Sequence, residues 1–241
     1  MSTAAIVVIG NEILSAKVAD ENGPWLSREL RALGVELRRI ETVPDEVPVI
    51  VDSLRRAIGS AKSVFTSGGI GPTHDDVTIA AVAQCFARRV VTDDRILSSL
   101  RSHFGERLNA ARRRLAEVPE GAIIDWCPGS LFPVISVENV AVLPGPPMLF
   151  QAGFARIRDR YRTAPIFTRA LYFAIGEGSL AEHLDAAVAQ FPSVAIGSYP
   201  RFDDSDYRVK VTFDGRGEED VRRAAAFVRA RIPAEAVLRE E

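Results

Sequence analysis

The residues best suited to chemistry form one run: Ser67, Gly68, Gly69, Ile70, Gly71, Pro72, Thr73, His74, Asp75, Asp76, Val77 and Thr78. Three glycines without Cβ atoms let backbone N–H groups approach an anion closely. The helix expected after this turn adds its positive N-terminal end. Ser67, Thr73 and Thr78 can donate hydroxyl hydrogen bonds to phosphate oxygens. Asp75 and Asp76 repel that anion unless a cation intervenes, and a divalent metal bridging carboxylate and phosphate removes the conflict. The alternative is a plain glycine turn in which Asp75 or Asp76 caps the helix. The run lacks both the Gly-Lys-Ser/Thr ending of a P-loop and the GxGxxG of a dinucleotide fingerprint.

Other segments that leave apolar strands offer further groups. Gly10-Asn11-Glu12 supplies Asn11 for a base or sugar and Glu12 to hold a metal or activate water. Its plainer reading is a strand-ending turn with a solvated glutamate. Asp45 is either a third carboxylate at the same edge or the N-cap of the next helix. Leu143-Pro144-Gly145-Pro146-Pro147 is stiff enough to wall a pocket, or simply turns the chain. His74 is either a proton-transfer group or a polar partner of its neighbouring aspartates. Trp25 and Trp126 read as core, and Arg112–Arg114 as a solvated helix face.

The elements that must position these groups alternate between strand and helix. Ala4–Ile9 is a continuous apolar run and reads as a buried parallel strand. Leu26, Leu30 and Leu33 recur at helical spacing after Pro24, with Gly34 as terminator. Val35–Val43 and Ser63–Ser67 read as strands. A helix with the stripe Val47, Ile50, Val51, Leu54 and Ile58 separates them. Val77–Phe86 is helical, and Asp93–Ala116 is a helical pair broken near Gly105. Ala122–Trp126, Leu131–Val137 and Val140–Leu143 are short strands, and Met148–Tyr161 closes with a helix. Such alternation predicts a mostly parallel sheet with helices on both faces, over residues 1–162.

A different order follows the linker Thr163–Pro165. Strands at Arg169–Ile175, Val194–Ser198 and Tyr207–Phe213 and helices at Leu180–Phe191 and Val221–Ile232 give βαββα. This predicts a small α+β domain over 166–241 with its helices on one face.

Composition sets the outer bounds. The 241 residues, 47% of them hydrophobic, can fill one large or two modest cores. A net charge of −2 gives no global field for nucleic acid or a membrane surface, and neither is expected as a partner. Cys85 and Cys127 lack metal-ligand spacing and read as free thiols of a reducing, cytoplasmic compartment. No signal peptide and no membrane span is expected.

Three segments together resemble the MoaB/Mog (molybdopterin-binding) domain family. Gly10–Ser15 is similar to the opening of its CinA-like branch. Ser67–Thr78 resembles that branch's TGGLGPTxDDxT element, and Leu143–Pro147 its LPGxP element. Arg169–Ala236 is similar to the segment that follows this domain in animal FAD synthases. Two departures, Cys127–Pro133 and Leu149 in place of the LPGxPxEM glutamate, lean toward that FAD-synthase-linked branch. The expectation is a chain that stops at Glu241, with neither a deamidase nor an adenylyltransferase domain.

The resemblance implies a three-layer α/β/α fold, a small nucleotide or pterin ligand, and self-association. It implies two activities. One is metal-dependent pyrophosphatase action on FAD or ADP-ribose, releasing AMP, with magnesium, manganese or cobalt. The other is molybdopterin binding or adenylyl transfer, and a non-catalytic regulatory domain is a third reading. Gly68, Gly69, Gly71, Thr73, Asp76 and Thr78 carry over as ligand or metal contacts. Asp45 carries over as a metal ligand with Asp76, and Asn11 and Glu12 as site residues of the first strand.

Overall fold

The computed structural model describes residues 2–126, 131–203 and 206–241. It divides into two units, Met1–Thr163 and Ala164–Glu241. The first opens with strand β1 (Thr3–Ile9), a single helical turn α1 (Asn11–Leu14) and helix α2 (Asn22–Ala32). Strand β2 (Glu36–Val43), helix α3 (Val47–Ser60), strand β3 (Ser63–Ser67) and helix α4 (Thr78–Cys85) follow. A short ribbon of β4 (Val90–Thr92) and β5 (Glu117–Pro119) brackets helices α5 (Asp94–Phe104) and α6 (Ala110–Arg113). Strands β6 (Ile123–Asp125), β7 (Val134–Val137) and β8 (Val140–Leu143) and helix α7 (Pro147–Ile157) complete the unit.

Six strands form one sheet in the order β2-β1-β3-β8-β7-β6. The four strands from β2 to β8 are parallel, while β7 and β6 are antiparallel to their neighbours. The apolar run of β1 makes the layering visible, because successive side chains face opposite sides of a strand. Ala5, Val7 and Ile9 join a core with Ile50, Leu54, Ala81, Ile96 and Leu100 from α3, α4 and α5. Ala4, Ile6 and Val8 join a second core with Leu26, Leu30, Phe150 and Phe154 from α2 and α7. The unit is therefore the expected three-layer α/β/α domain, with a mainly parallel sheet.

Local signals set the helix ends. Gly34, with φ of 77°, terminates α2, and the Asp93 carboxylate caps α5 by accepting from the N–H groups of Arg95 and Ile96. Trp25 packs edge-on against Phe150 and Phe154, as a core residue should. The β4–β5 ribbon has no counterpart in the sequence reading. Three-residue strands are too short to show a period of two. The readings placed on Cys127 and on the stretch starting there fall largely outside the described residues.

In the second unit, strand β9 (Phe167–Phe173), helix α8 (Ala181–Gln190), strands β10 (Val194–Pro200) and β11 (Val209–Gly215), helix α9 (Glu218–Arg229) and strand β12 (Val237–Glu240) alternate as βαββαβ. The sheet is wholly antiparallel, in the order β10-β11-β9-β12. Leu171, Phe173, Val211 and Phe213 pack with Leu184, Val221 and Val228 on the helical face. The βαββα order is thus corrected by one strand. Val237–Glu240 is too polar to read as a strand by itself, and its pairing with β9 makes it one.

Candidate functional site

Because β1, β2, β3 and β8 are parallel, the turns after Ile9, Val43, Ser67 and Leu143 all leave one edge of the sheet. The strand order reverses at β1, with β2 on one side and β3 on the other. A crevice opens beyond the strand ends at such a switch point. Backbone pairing runs past the strands themselves. The Gly10 N–H donates to Val43 O at 3.1 Å, and the Gly68 N–H to Leu143 O at 3.1 Å.

Gly68 and Gly69 have φ of 99° and 64°, the left-handed region that favours glycine. Side chains would also collide there. A Cβ on Gly68 would lie 2.3 Å from Ile9 O, and one on Gly69 would lie 2.4 Å from Thr78 Oγ1. Thr78 is fully buried. Its N–H donates to Gly69 O and its hydroxyl to Gly68 O, both at 2.9 Å. This corrects its expected role, since the hydroxyl shapes the turn and does not reach a ligand. The N–H groups of Gly69 and Ile70 have no partner within the protein among the described residues. Two successive unengaged donors in this turn leave backbone N–H groups available to an anion.

Asp76 holds the rest of the turn. Its Oδ1 accepts from Gly71 N–H at 2.6 Å, and its Oδ2 accepts from the Thr73 N–H at 2.8 Å and the Thr73 hydroxyl at 2.5 Å. The Thr73 hydroxyl is therefore engaged within the turn as well. Asp75 and His74 point to solvent, and the His74 side chain is 97% exposed.

Asp45 does not cap α3. Glu46 holds the N-cap position without a side-chain bond, and Asp45 Oδ2 instead accepts the Asn11 N–H at 2.8 Å. The carboxylate therefore ties the turn after β2 to the turn after β1. Partial burial pushes the Asp45 carboxyl above its usual range, with added repulsion from Glu12, Asp75 and Asp76. Asp45 thus feels three other carboxylates at this edge.

A cleft of about 670 Å³ opens between the turns. Of the expected site residues, Glu12, Ser67, Gly68, Gly69, Gly71, Pro72, Asp76, Pro144 and Gly145 line it. Gly10, Asn11, Asp45, Thr73, Asp75 and Thr78 are not among the lining residues; of these Asn11, Thr73 and Asp75 are exposed and Thr78 is buried. Leu149 lines it too, an apolar wall where the resembled motif has a glutamate.

Sequence reasoning missed two contributors. Asn22, at the start of α2, is 6% exposed; its Nδ2 donates to Ser67 Oγ at 2.9 Å and to Gly145 O at 2.7 Å. Its only signal was a polar residue at a helix start, which reads as a cap. Arg112 was assigned to a solvated face. It is half-buried, with its guanidinium 4.7 Å from the Phe104 ring centroid, and both residues line the cleft. Among the described lining residues it is the one base, against Glu12, Asp20, Glu21 and Asp76.

No three His, Cys, Asp or Glu side chains among the described residues form a group able to hold a metal ion. A closed protein cage is therefore absent there. Magnesium is commonly held by one or two carboxylates plus substrate phosphates, and that open arrangement fits these groups. Among the described residues Glu12 has no side-chain hydrogen bond, and Asp76 Oδ1, which accepts a single bond, keeps a further lone pair, while Oδ2 already accepts two.

A three-layer α/β/α fold with a cleft at the switch point of its sheet defines an α/β domain of the open-sheet class. Residues 5–162 match the family described as a probable molybdopterin binding domain, and residues 165–241 match the FAD synthase middle domain. The chain belongs to the molybdopterin-binding MoaB/Mog domain family. It is 34% identical to a protein of Archaeoglobus fulgidus over 91% of this chain and 93% of that one. It is 32% identical to a probable FAD synthase of Caenorhabditis elegans, over 94% of this chain and 49% of that protein. A CinA-like protein of Cytophaga hutchinsonii is also 32% identical, over 89% of this chain and 54% of the relative. The chain thus spans about half the length of these two named relatives. The crystal structure of a CinA protein of unknown function from Thermoplasma acidophilum superposes with a TM-score of 0.62 at 27% identity, over 66% of this chain and 98% of that one. No helix among the described residues is long and apolar enough to cross a membrane.

Proposed function

We propose that this protein is a metal-dependent pyrophosphatase that splits FAD or ADP-ribose and releases AMP. The observation that carries this reading is the pair of unengaged N–H groups, Gly69 and Ile70, in a cleft that also holds Glu12 and Asp76. These donors would take one phosphate of the bridge, aided by the α4 N-terminus. Arg112 is positioned to meet anionic charge or a planar ring elsewhere in the same cleft. Two carboxylates, Asp76 with Glu12 from the cleft wall, would hold magnesium, manganese or cobalt together with phosphate oxygens, and Asp45 nearby would add negative charge favouring the ion. When bound, such an ion offsets charge on the phosphoryl oxygens and acidifies a coordinated water. Glu12 would accept the proton of the attacking water. Water then adds across the P–O–P bridge, which breaks to give AMP and a second monophosphate. The similarity to FAD synthases and CinA-like proteins supports this substrate class.

The test is AMP release from FAD and from ADP-ribose with each metal in turn. Release that needs the metal and falls at least about a hundredfold in Asp76→Ala supports the assignment. Full activity in that variant would sink it. The family match favours a second reading, binding of a molybdopterin phosphate in the same cleft without hydrolysis. A pterin co-purifying with a protein that releases no AMP would favour it over the first.

A further inference from the structure

We infer that Asn22 is a positioning residue that turns the Ser67 hydroxyl into a hydrogen-bond donor for the ligand's phosphate. The inference rests on the phosphate-binding part of the reading above, not on hydrolysis.

The direction of the hydrogen bonds decides the matter. Gly145 O can only accept, so the side-chain nitrogen of Asn22, and not its oxygen, must face it at 2.7 Å. That fixes the amide orientation. The same Nδ2 has one further N–H, and it points at Ser67 Oγ, 2.9 Å away. Ser67 Oγ is therefore an acceptor in this pair. Its own proton must point elsewhere, and no acceptor within the protein takes it among the described residues. Ser67 is only 2% exposed, yet it lines the cleft and directly precedes Gly68 and Gly69, so its free O–H is available to an anion bound at that turn. An anion there would receive the Ser67 proton along with the backbone donors.

Asn22 also keeps its Oδ1 buried without any partner. The two bonds made by Nδ2 join α2 to the end of β3 and to the turn after β8. Gly145 is held close enough that a Cβ there would lie 3.5 Å from the Gly68 Cα.

The test is a double-mutant cycle on the full chain, read as binding of inorganic pyrophosphate by titration calorimetry with magnesium present. Ser67→Ala should weaken binding about tenfold, the effect of one hydrogen bond to a charged partner. Asn22→Ala should weaken it similarly. The double variant should lose little more than either one, because Asn22 acts through Ser67. Asn22→Asp should bind no better than Asn22→Ala, since its carboxylate would take the Ser67 proton for itself. Additive losses would overturn the inference, because a purely structural Asn22 weakens binding whether or not Ser67 is present. Unchanged affinity in Ser67→Ala would overturn it even if the Asn22 variants fail to fold. Failure of the wild-type chain to bind pyrophosphate, with FAD or ADP-ribose still hydrolysed, would sink this inference and spare the hydrolytic reading. Absent AMP release with the cycle intact would do the reverse.

Discussion

The two units are built from the same materials, strands covered by amphipathic helices, yet they end their strands differently. In the first, parallel strands deliver the turns after Ile9, Val43, Ser67 and Leu143 to one edge, and a cleft opens there. In the second, each neighbouring strand is antiparallel, so strand ends alternate between edges and no row of turns accumulates. Sheet direction therefore decides which unit can gather backbone donors around one ligand.

The largest expected effect would break the first side of this comparison. Gly68→Val places a branched side chain at φ of 99° and against Ile9 O. It should destabilise the first unit by about 3 kcal/mol or more and abolish nucleotide binding, as seen in urea titration and calorimetry. The second side is broken by Phe213→Ala, which empties a fully buried position in the antiparallel sheet. A loss of about 3–5 kcal/mol is expected in the unfolding of that unit. ADP binding should persist, and its loss would show that the two units unfold together.

Arg112→Ala should have a smaller effect. It should weaken ADP about tenfold, in keeping with loss of one guanidinium contact. Unchanged affinity would return Arg112 to the solvated face on which its sequence first placed it. The smallest effect concerns Asp45. Its carboxyl is held above the ordinary value of 3.8, first by burial and then by Glu12, Asp75 and Asp76. The folded state therefore disfavours the ionised form, so this group lowers stability above its folded pKa and ceases to do so as pH falls through it. Magnesium binding should follow the opposite trend, weakening over the same window as protons compete. Asp45→Asn should flatten both trends, as read from thermal melts across pH with and without the ion.

Much of the fold was legible because burial on two faces leaves an unmistakable apolar run, as in Ala4–Ile9. The glycine turn was legible because Gly68 and Gly69 are needed for backbone reasons that any side chain would violate. Side-chain direction was not legible. Thr78 and Thr73 carry the right chemistry for phosphate, but their hydroxyls are engaged by Gly68 O and Asp76. Asp45 looked like a cap, yet it bonds a residue 34 positions away. Asn22 and Arg112 reach the cleft only through tertiary packing, and local spacing carries no trace of that. Strand β12 owes its existence to β9 in the same way.

The Gly10 and Gly68 amides, each bonded to the end of a neighbouring strand, give the ligand turns a clock as well as a shape. Backbone protons in surface turns ordinarily exchange with solvent quickly, while those of a sheet interior wait for larger openings. In deuterium these two should exchange on the slow schedule of β1 and β3. The neighbouring Gly69 and Ile70 amides, with nothing to hold them, should be among the first labelled.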